Sequence, residues 1–425
     1  MEPTMKNYFY KFTIFLLLTT LQIEACMRPN QGENNSSESN ICSPSLISLE
    51  SCSDTRIEQG CNDCDSCIEV EGDSNADILE LPLPEKCNTT TEYLKQGDNL
   101  CTTKPTFPTI LSDNFSIDPS NNIAIYVDEN FDKTIALDTA DMKILSQHFY
   151  TYLQDEYDFI FIVCNNDTLP AGVGYYGRFY PVSNAIEGLG KSIYDYSAYY
   201  GSDGKLQGMM HFPYRAGINN GPTLHELSHN WANSLINTGL SGHWNYTGFI
   251  AQTSIGGKGQ LGGYDASTLI NEGSGMYSAV SFGTFANGGN GLPYNDVELY
   301  LMGLISKSDV GDVYIADNPI HDKYLNSRRY FTADSIVQWD FSNLLDDLGI
   351  SDRVPNHNNS QKNFRVLTVL VSDTEPTQEE IDQASDYMGQ FSYQGSDSIG
   401  WYYNFYEGTG GRATLQVDGI RGTIK

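Results

Sequence analysis

Apolar and polar positions fall into regular periods only from about Asn122 onward. Ile123–Val127 is a short apolar run that predicts a strand, and Ala140–Leu153 carries the spacing of an amphipathic helix. Phe159–Val163 is apolar throughout, as a strand buried on both faces must be. Leu206–Tyr214 predicts a further strand. Gly221-Pro222 then opens a helix, because proline suits a first-turn position whose N–H has no partner. That helix is expected to run from Pro222 to about Asn237, with Gly239 ending it. Val297–Ile305 predicts a short helix, Arg365–Val371 a strand, Gln378–Met388 a helix and Ala413–Val417 a last strand. Fifteen of the 39 glycines fall between Gly239 and Gly303, which predicts an irregular, close-packed stretch. Runs such as Gly262-Gly263-Tyr264 and Gly288-Gly289-Asn290-Gly291 either let backbone approach a site closely or make plain surface turns.

The front of the chain has a different character. Lys6 and Lys11 precede an apolar run from Phe12 to Leu21, the pattern of a secretory signal over residues 1–25. The run is half of what a spanning helix needs, about 20 residues. Ile23-Glu24-Ala25-Cys26 is similar to a lipobox, although Glu24 is unusual there, so lipidation of Cys26 and cleavage after Ala25 both stand. Residues 26–112 are rich in Asn, Ser, Glu, Asp and Thr and predict a cysteine-rich, partly disordered leader or tether ahead of a folded domain at 113–425. Seven of the nine cysteines lie between Cys42 and Cys101. With Cys26 lipidated, the other eight can form four disulfides, Cys164 tying the leader to the domain; Cys61, Cys64 and Cys67 alternatively suit a metal knot.

The net charge of −30 argues against nucleic acid as a partner, because phosphate binding needs a cationic face. It reads as a solubility coat or as a preference for basic substrates. The expected product of the chain is a secreted or cell-envelope monomer that meets membranes only through Cys26.

The chemistry concentrates in His225-Glu226-Leu227-Ser228-His229. Residues four apart on a helix are offset by about 40°, so His225 and His229 share one face and reach one ion. Glu226 flanks that face as a base for a metal-bound water. Zinc suits imidazole donors, and three protein ligands leave its fourth position for water. Leu224, Leu227, Trp231 and Leu235 form an apolar stripe on the opposite side.

This HExxH sequence resembles the zincin-type metallopeptidases. Gly221-Pro222-Thr223-Leu224-His225-Glu226, Ser241-Gly242-His243-Trp244, Gln260-Leu261-Gly262-Gly263-Tyr264-Asp265 and Glu298-Leu299-Tyr300-Leu301-Met302-Gly303 are similar to a group of exported bacterial proteins of that type without settled activity. The resemblance covers roughly Asn122 to Val417. It implies an α+β, zincin-like fold: a twisted mixed sheet, a backing helix, an active-site helix below an edge strand, and a glycine-rich irregular C-terminal part.

The third ligand departs from the zincin patterns, since neither a glycine three residues after His229 nor a histidine six after it is present. His243 is the first candidate, with Glu298 and Glu272 as competitors. A helix continuous from His229 to Gly239 advances about 15 Å, and four extended residues recover about 14 Å, so an earlier helix end makes the return to His243 comfortable. Met302 fills core or lies beneath the metal, and Tyr264 or Tyr294 are candidates for oxyanion help. His211 is expected as a half-exposed strand residue. The expected function is a zinc-dependent endopeptidase acting on protein or peptide substrates. The alternative is a non-catalytic exported binding or adhesion module that keeps the scaffold, for which an intact Glu226 has no use.

Overall fold

Every side chain of the strand Phe159–Cys164 is buried. Its odd members Phe159, Phe161 and Val163 enter one apolar cluster and its even members Ile160 and Ile162 another. A run without polar positions therefore marks a strand with helices on both sides. The computed structural model describes residues 92–94, 101–103, 108–232, 234–239, 242–253, 257–280, 283, 289–396 and 402–425. They build a mixed α+β structure of several sheets and seven α-helices, none long and apolar enough to cross a membrane.

The chain divides into Met1–Leu81 and Pro82–Lys425. The signal segment, Cys26 and the cysteines from Cys42 to Cys87 lie outside the described residues. Glu92–Leu94 and Cys101–Thr103 pair antiparallel. Thr109–Ser112 already belongs to the main sheet, so the folded domain starts a few residues before the expected boundary at 113.

The main sheet runs in the order Thr109–Ser112, Phe115–Asp118, Ile123–Val127, Asn363–Ser372, Phe159–Cys164, Gly208–Phe212, Arg178–Pro181, with Thr414–Gln416 paired to Asn363–Ser372. The four strands from Ile123–Val127 to Gly208–Phe212 are mutually parallel. Arg178–Pro181 closes the series antiparallel to Gly208–Phe212. Gly208–Phe212, the strand before the HExxH helix, is therefore interior, and the edge strand is Arg178–Pro181, whose mixed polarity carries no strand signal.

The helix Thr139–Tyr152 covers one face through Met142, Leu145 and Phe149. Its start is set by Asp138, whose carboxylate accepts from Ala140 and Asp141 N–H groups while the Asp141 side chain accepts from Asp138 N–H. On the other face pack the short helix Thr223–Ser228 and the helix Gln378–Phe391.

Among the described residues, the stretch after Gly239, expected to be irregular, contains regular sheet. Asn245–Phe249 and Gly262–Asp265 enter a four-stranded sheet with Val313–Asp317 and Ser335–Trp339. Ile270–Gly273 and Met276–Val280 enter another with Arg328–Thr332 and Ile320–Leu325. Ile320–Leu325 is exposed along its whole length, which removes the alternation that would have announced it.

Cys164 is buried and free, contrary to its expected role as the tether to the leader. It sits at the end of a central strand, where its thiol lies 3.2 Å from His211 Nε2. His211 is itself fully buried, not half-exposed, because an interior strand offers no solvent face.

Candidate metal centre

The helix bearing the HExxH residues is a turn and a half long, Thr223–Ser228, with His229 as its C-cap. Pro222 is its N-cap, one place ahead of the position expected. The helix does not continue to Asn237. Ser228 Oγ donates to His225 O at 2.6 Å, and the serines and asparagines that follow are poor helix formers. Leu224, Leu227, Trp231 and Leu235 are nonetheless all buried in the core on the sheet, so the apolar stripe holds although the helix beneath half of it is absent.

The helix start is fastened from a distance. Asn290 Oδ1 accepts from Leu224 N–H at 2.9 Å, and its amide donates to Ile218 O at 3.0 Å and Asn219 O at 2.8 Å. A Cβ on Gly289, at φ +57°, would lie 2.8 Å from Gly221 O. This glycine run is thus a close backbone approach and not a surface turn.

The early helix end lets the chain return. Gly242, at φ +73°, and Asn245, at φ +48°, turn it back, and Thr238 Oγ1 donates to His243 O at 2.7 Å. His225, His229 and His243 then converge, with one ring nitrogen from each lying within 4.8 Å of the others, a group able to hold a metal ion. His225 Nε2 and His243 Nε2 are 3.4 Å apart. His225 Nδ1 is 2.7 Å from Gln260 O, and since a carbonyl only accepts, Nδ1 carries the proton and Nε2 presents its lone pair to the group. Burial holds His225 down to about 4, against the smaller opposing effect of that hydrogen bond. Burial likewise holds His229 well below its ordinary value, with His225, His243 and Lys191 adding to the effect. His225 and His229 are thus poised as neutral donors.

Of the competing ligands, Glu298 lies one bond behind the group. It is fully buried, and Oε1 accepts from Trp244 Nε1 and Leu261 N, both at 2.9 Å. Oε2 accepts from Gln260 N and Asn295 N, both at 3.0 Å. The residue whose carbonyl orients His225 is therefore itself held by Glu298, and the residue after His243 is held by the same carboxylate. Glu272 sits on an exposed hairpin strand, accepting from Ser278 Oγ at 2.6 Å, and takes no part.

Glu226 Oε2 accepts from the Phe179 backbone N–H at 2.9 Å, which joins the edge strand to the HExxH helix. A Cβ on Gly177 would touch Pro222 Cγ at 3.0 Å and Glu226 Cγ at 3.3 Å, so a glycine there lets strand and helix meet. Burial pushes the Glu226 carboxyl up to about 8, partly opposed by the Phe179 N–H and Arg178.

Neither tyrosine nominated for oxyanion help reaches the group. Tyr264 is buried among Tyr246, Ala279 and Phe331. Tyr294 is buried and donates to Leu224 O at 2.9 Å, serving the helix from behind. Met302 is core, lining a cavity of about 290 Å³ with Asn230, Trp231 and Phe364. Asn290, Gln260 and the Phe179 N–H carry no sequence signal, because their contribution is a backbone carbonyl, a backbone amide or a cap made across more than thirty residues. Comparison of the chain with protein-family models, with curated proteins and with solved structures finds no match.

Proposed function

We propose that this chain is an exported zinc-dependent peptidase of the zincin type, with His225, His229 and His243 as the metal ligands and Glu226 as the general base. The observation that carries this is the convergence of three imidazoles beside a half-buried carboxylate. The donor set fits zinc: the ligands are imidazole nitrogens, and among the described residues the group has three members where a structural zinc site supplies four. A bound zinc ion supplies a Lewis acid for a carbonyl and brings the pKa of a water to about 7.

The chain's own residues do the rest. The Gln260 carbonyl keeps His225 in the tautomer whose Nε2 faces the group. The Phe179 N–H holds Glu226 Oε2, which fixes the plane of the carboxylate and leaves Oε1 to take a proton. The outer edge of Arg178–Pro181 is the row of backbone groups along which an extended peptide adds, in place of the interior strand before the helix. An antiparallel edge strand, a backing helix over one sheet face and a short HExxH helix under the other support the zincin assignment.

The test is metal analysis of the purified chain together with Glu226→Gln assayed on a general protein substrate. Stoichiometric zinc, and cleavage that disappears in the variant, are expected. A chain that binds no zinc, or a variant that cleaves as well as the parent, sinks the proposal. Zinc binding without cleavage by the parent returns the protein to a non-catalytic binding module.

A further inference from the structure

Lys191 is a half-buried ammonium with one hydrogen bond and, among the described residues, no ionic partner. Nζ donates to Asn230 O at 2.7 Å. No carboxylate pairs with it among the described residues. Burial alone accounts for a pKa brought down to about 8. A lysine has three N–H donors, so two remain on a side chain that is half-exposed.

The backbone fixes it there. Leu189 is fully buried in the main core. Gly190, at φ +73°, crosses so close to the chain beyond the HExxH helix that a Cβ would lie 2.4 Å from Ser234 O. Asn184 Nδ2 donates to Ser192 O at 3.0 Å. The residues on both sides of Lys191 are therefore anchored, and its amine is held at the carbonyl of the residue directly after His229. A cation drawn partly out of water is normally paired with an anion. In a chain of net charge −30, its isolation from every carboxylate among the described residues is the more telling.

We infer that Lys191 forms an anion subsite of the cleft, which binds a carboxylate of the substrate close to the scissile bond. This rests on the peptidase reading of the same site. Glu226 marks where the reacting carbonyl lies, and Asn230 follows it by four residues, about 6–8 Å along a last turn that tightens into i→i+3 bonds at His229 and Asn230. A peptide advances about 3.3–3.6 Å per residue, so the amine meets a group one or two residues from the reacting carbonyl and not the carbonyl itself. The carboxylate comes from an Asp or Glu side chain or from a free C-terminus.

The test measures binding of three peptides of one sequence to the zinc-supplemented full chain carrying Glu226→Gln. One peptide has Gln beside the central bond and an amidated end, one has Glu there, and one has Gln with a free C-terminal carboxylate two residues on. One of the two carboxylate peptides is expected to bind at least tenfold more tightly than the neutral one, and which one does so identifies the source. Adding Lys191→Met should bring that ratio to about one, and Lys191→Arg should restore part of it. Equal binding of all three peptides, or a ratio that survives Lys191→Met in a variant with parental circular dichroism, overturns the subsite. Selective binding of a peptide that the parent protein fails to cleave leaves the subsite standing and removes the peptidase reading.

Discussion

Glu298 offers the sharpest test of how the candidate metal centre is built, because its role is to hold other groups in place. In Glu298→Gln one oxygen keeps two of the four donors, and an amide nitrogen, itself a donor, faces the other two. If the amide takes the place of Oε2, it meets Gln260 N and Asn295 N; if it takes the place of Oε1, it meets Trp244 Nε1 and Leu261 N. Either way two buried N–H groups lose their acceptor, each at about 1–3 kcal/mol, for a total of about 2–6 kcal/mol. That is a large part of the roughly 5–15 kcal/mol by which a domain is stable, yet most variant molecules stay folded in water. Gln260 also supplies the carbonyl that orients His225, so zinc affinity should fall about 10–100-fold, as for loss of a group that orients a ligand from behind. Urea denaturation of the metal-free chain gives the first quantity, and competition with a chromogenic chelator gives the second. Glu272→Gln, on its exposed strand, is the control and should change stability by less than about 0.5 kcal/mol with no change in zinc affinity. If Glu298→Gln matches this control in both measurements, the four-donor account of Glu298 is wrong.

Other outcomes follow from the same contacts. His243→Ala should abolish tight zinc binding while Glu272→Ala leaves it intact, read by the same competition; retention in His243→Ala would move the third ligand elsewhere. Asn290→Ala removes the acceptor for Leu224 N–H and the donor for two carbonyls, and should cost about 1–3 kcal/mol in urea denaturation. Cys164, its thiol pushed up to about 12 by burial, should resist alkylation in the folded protein at pH 8 and react fully in denaturant, as mapped by mass spectrometry of its peptide; rapid native labelling would contradict its burial. His211 is held down to about 4 by burial and, secondarily, by Arg178, against about 6.5 when unfolded. Its contribution is complete above about pH 6.5 and is lost as pH falls toward about 4, an effect of about 3 kcal/mol. His211→Gln should reduce the acid sensitivity of stability by that amount over that window, and an unchanged profile would refute it.

The elements legible along the chain are those whose burial repeats with the period of their backbone. Phe159–Cys164 and Asn363–Ser372 are buried nearly throughout, and Thr139–Tyr152 and Gln378–Phe391 turn one face to the sheet, so local composition alone announces them. Ile320–Leu325 and Ser335–Trp339 are largely exposed, and Arg178–Pro181 is a four-residue edge. These strands are held by backbone pairing to their neighbours, which any side chains permit. The expectation of a helix reaching Asn237 has the same origin: Trp231 and Leu235 keep the helical period because they pack on the core, while the α-helix itself ends at Ser228.

The candidate centre divides along the same line. The i, i+4 spacing of His225 and His229 is enough to set them on one face of a helix with Glu226 beside them, because that geometry is a property of the helix. The chain length to His243 puts it within reach, provided that the helix stops early. That it does stop, that His243 closes the group while Glu298 stands behind it, and that Lys191 arrives beside His229 from a loop nearly forty residues upstream are matters of the folded chain. Local spacing fixes what a helix brings together. Contacts between distant segments depend on how the chain returns, which is settled by the burial of Trp244, the αL turn at Gly242 and the donors gathered by one carboxylate.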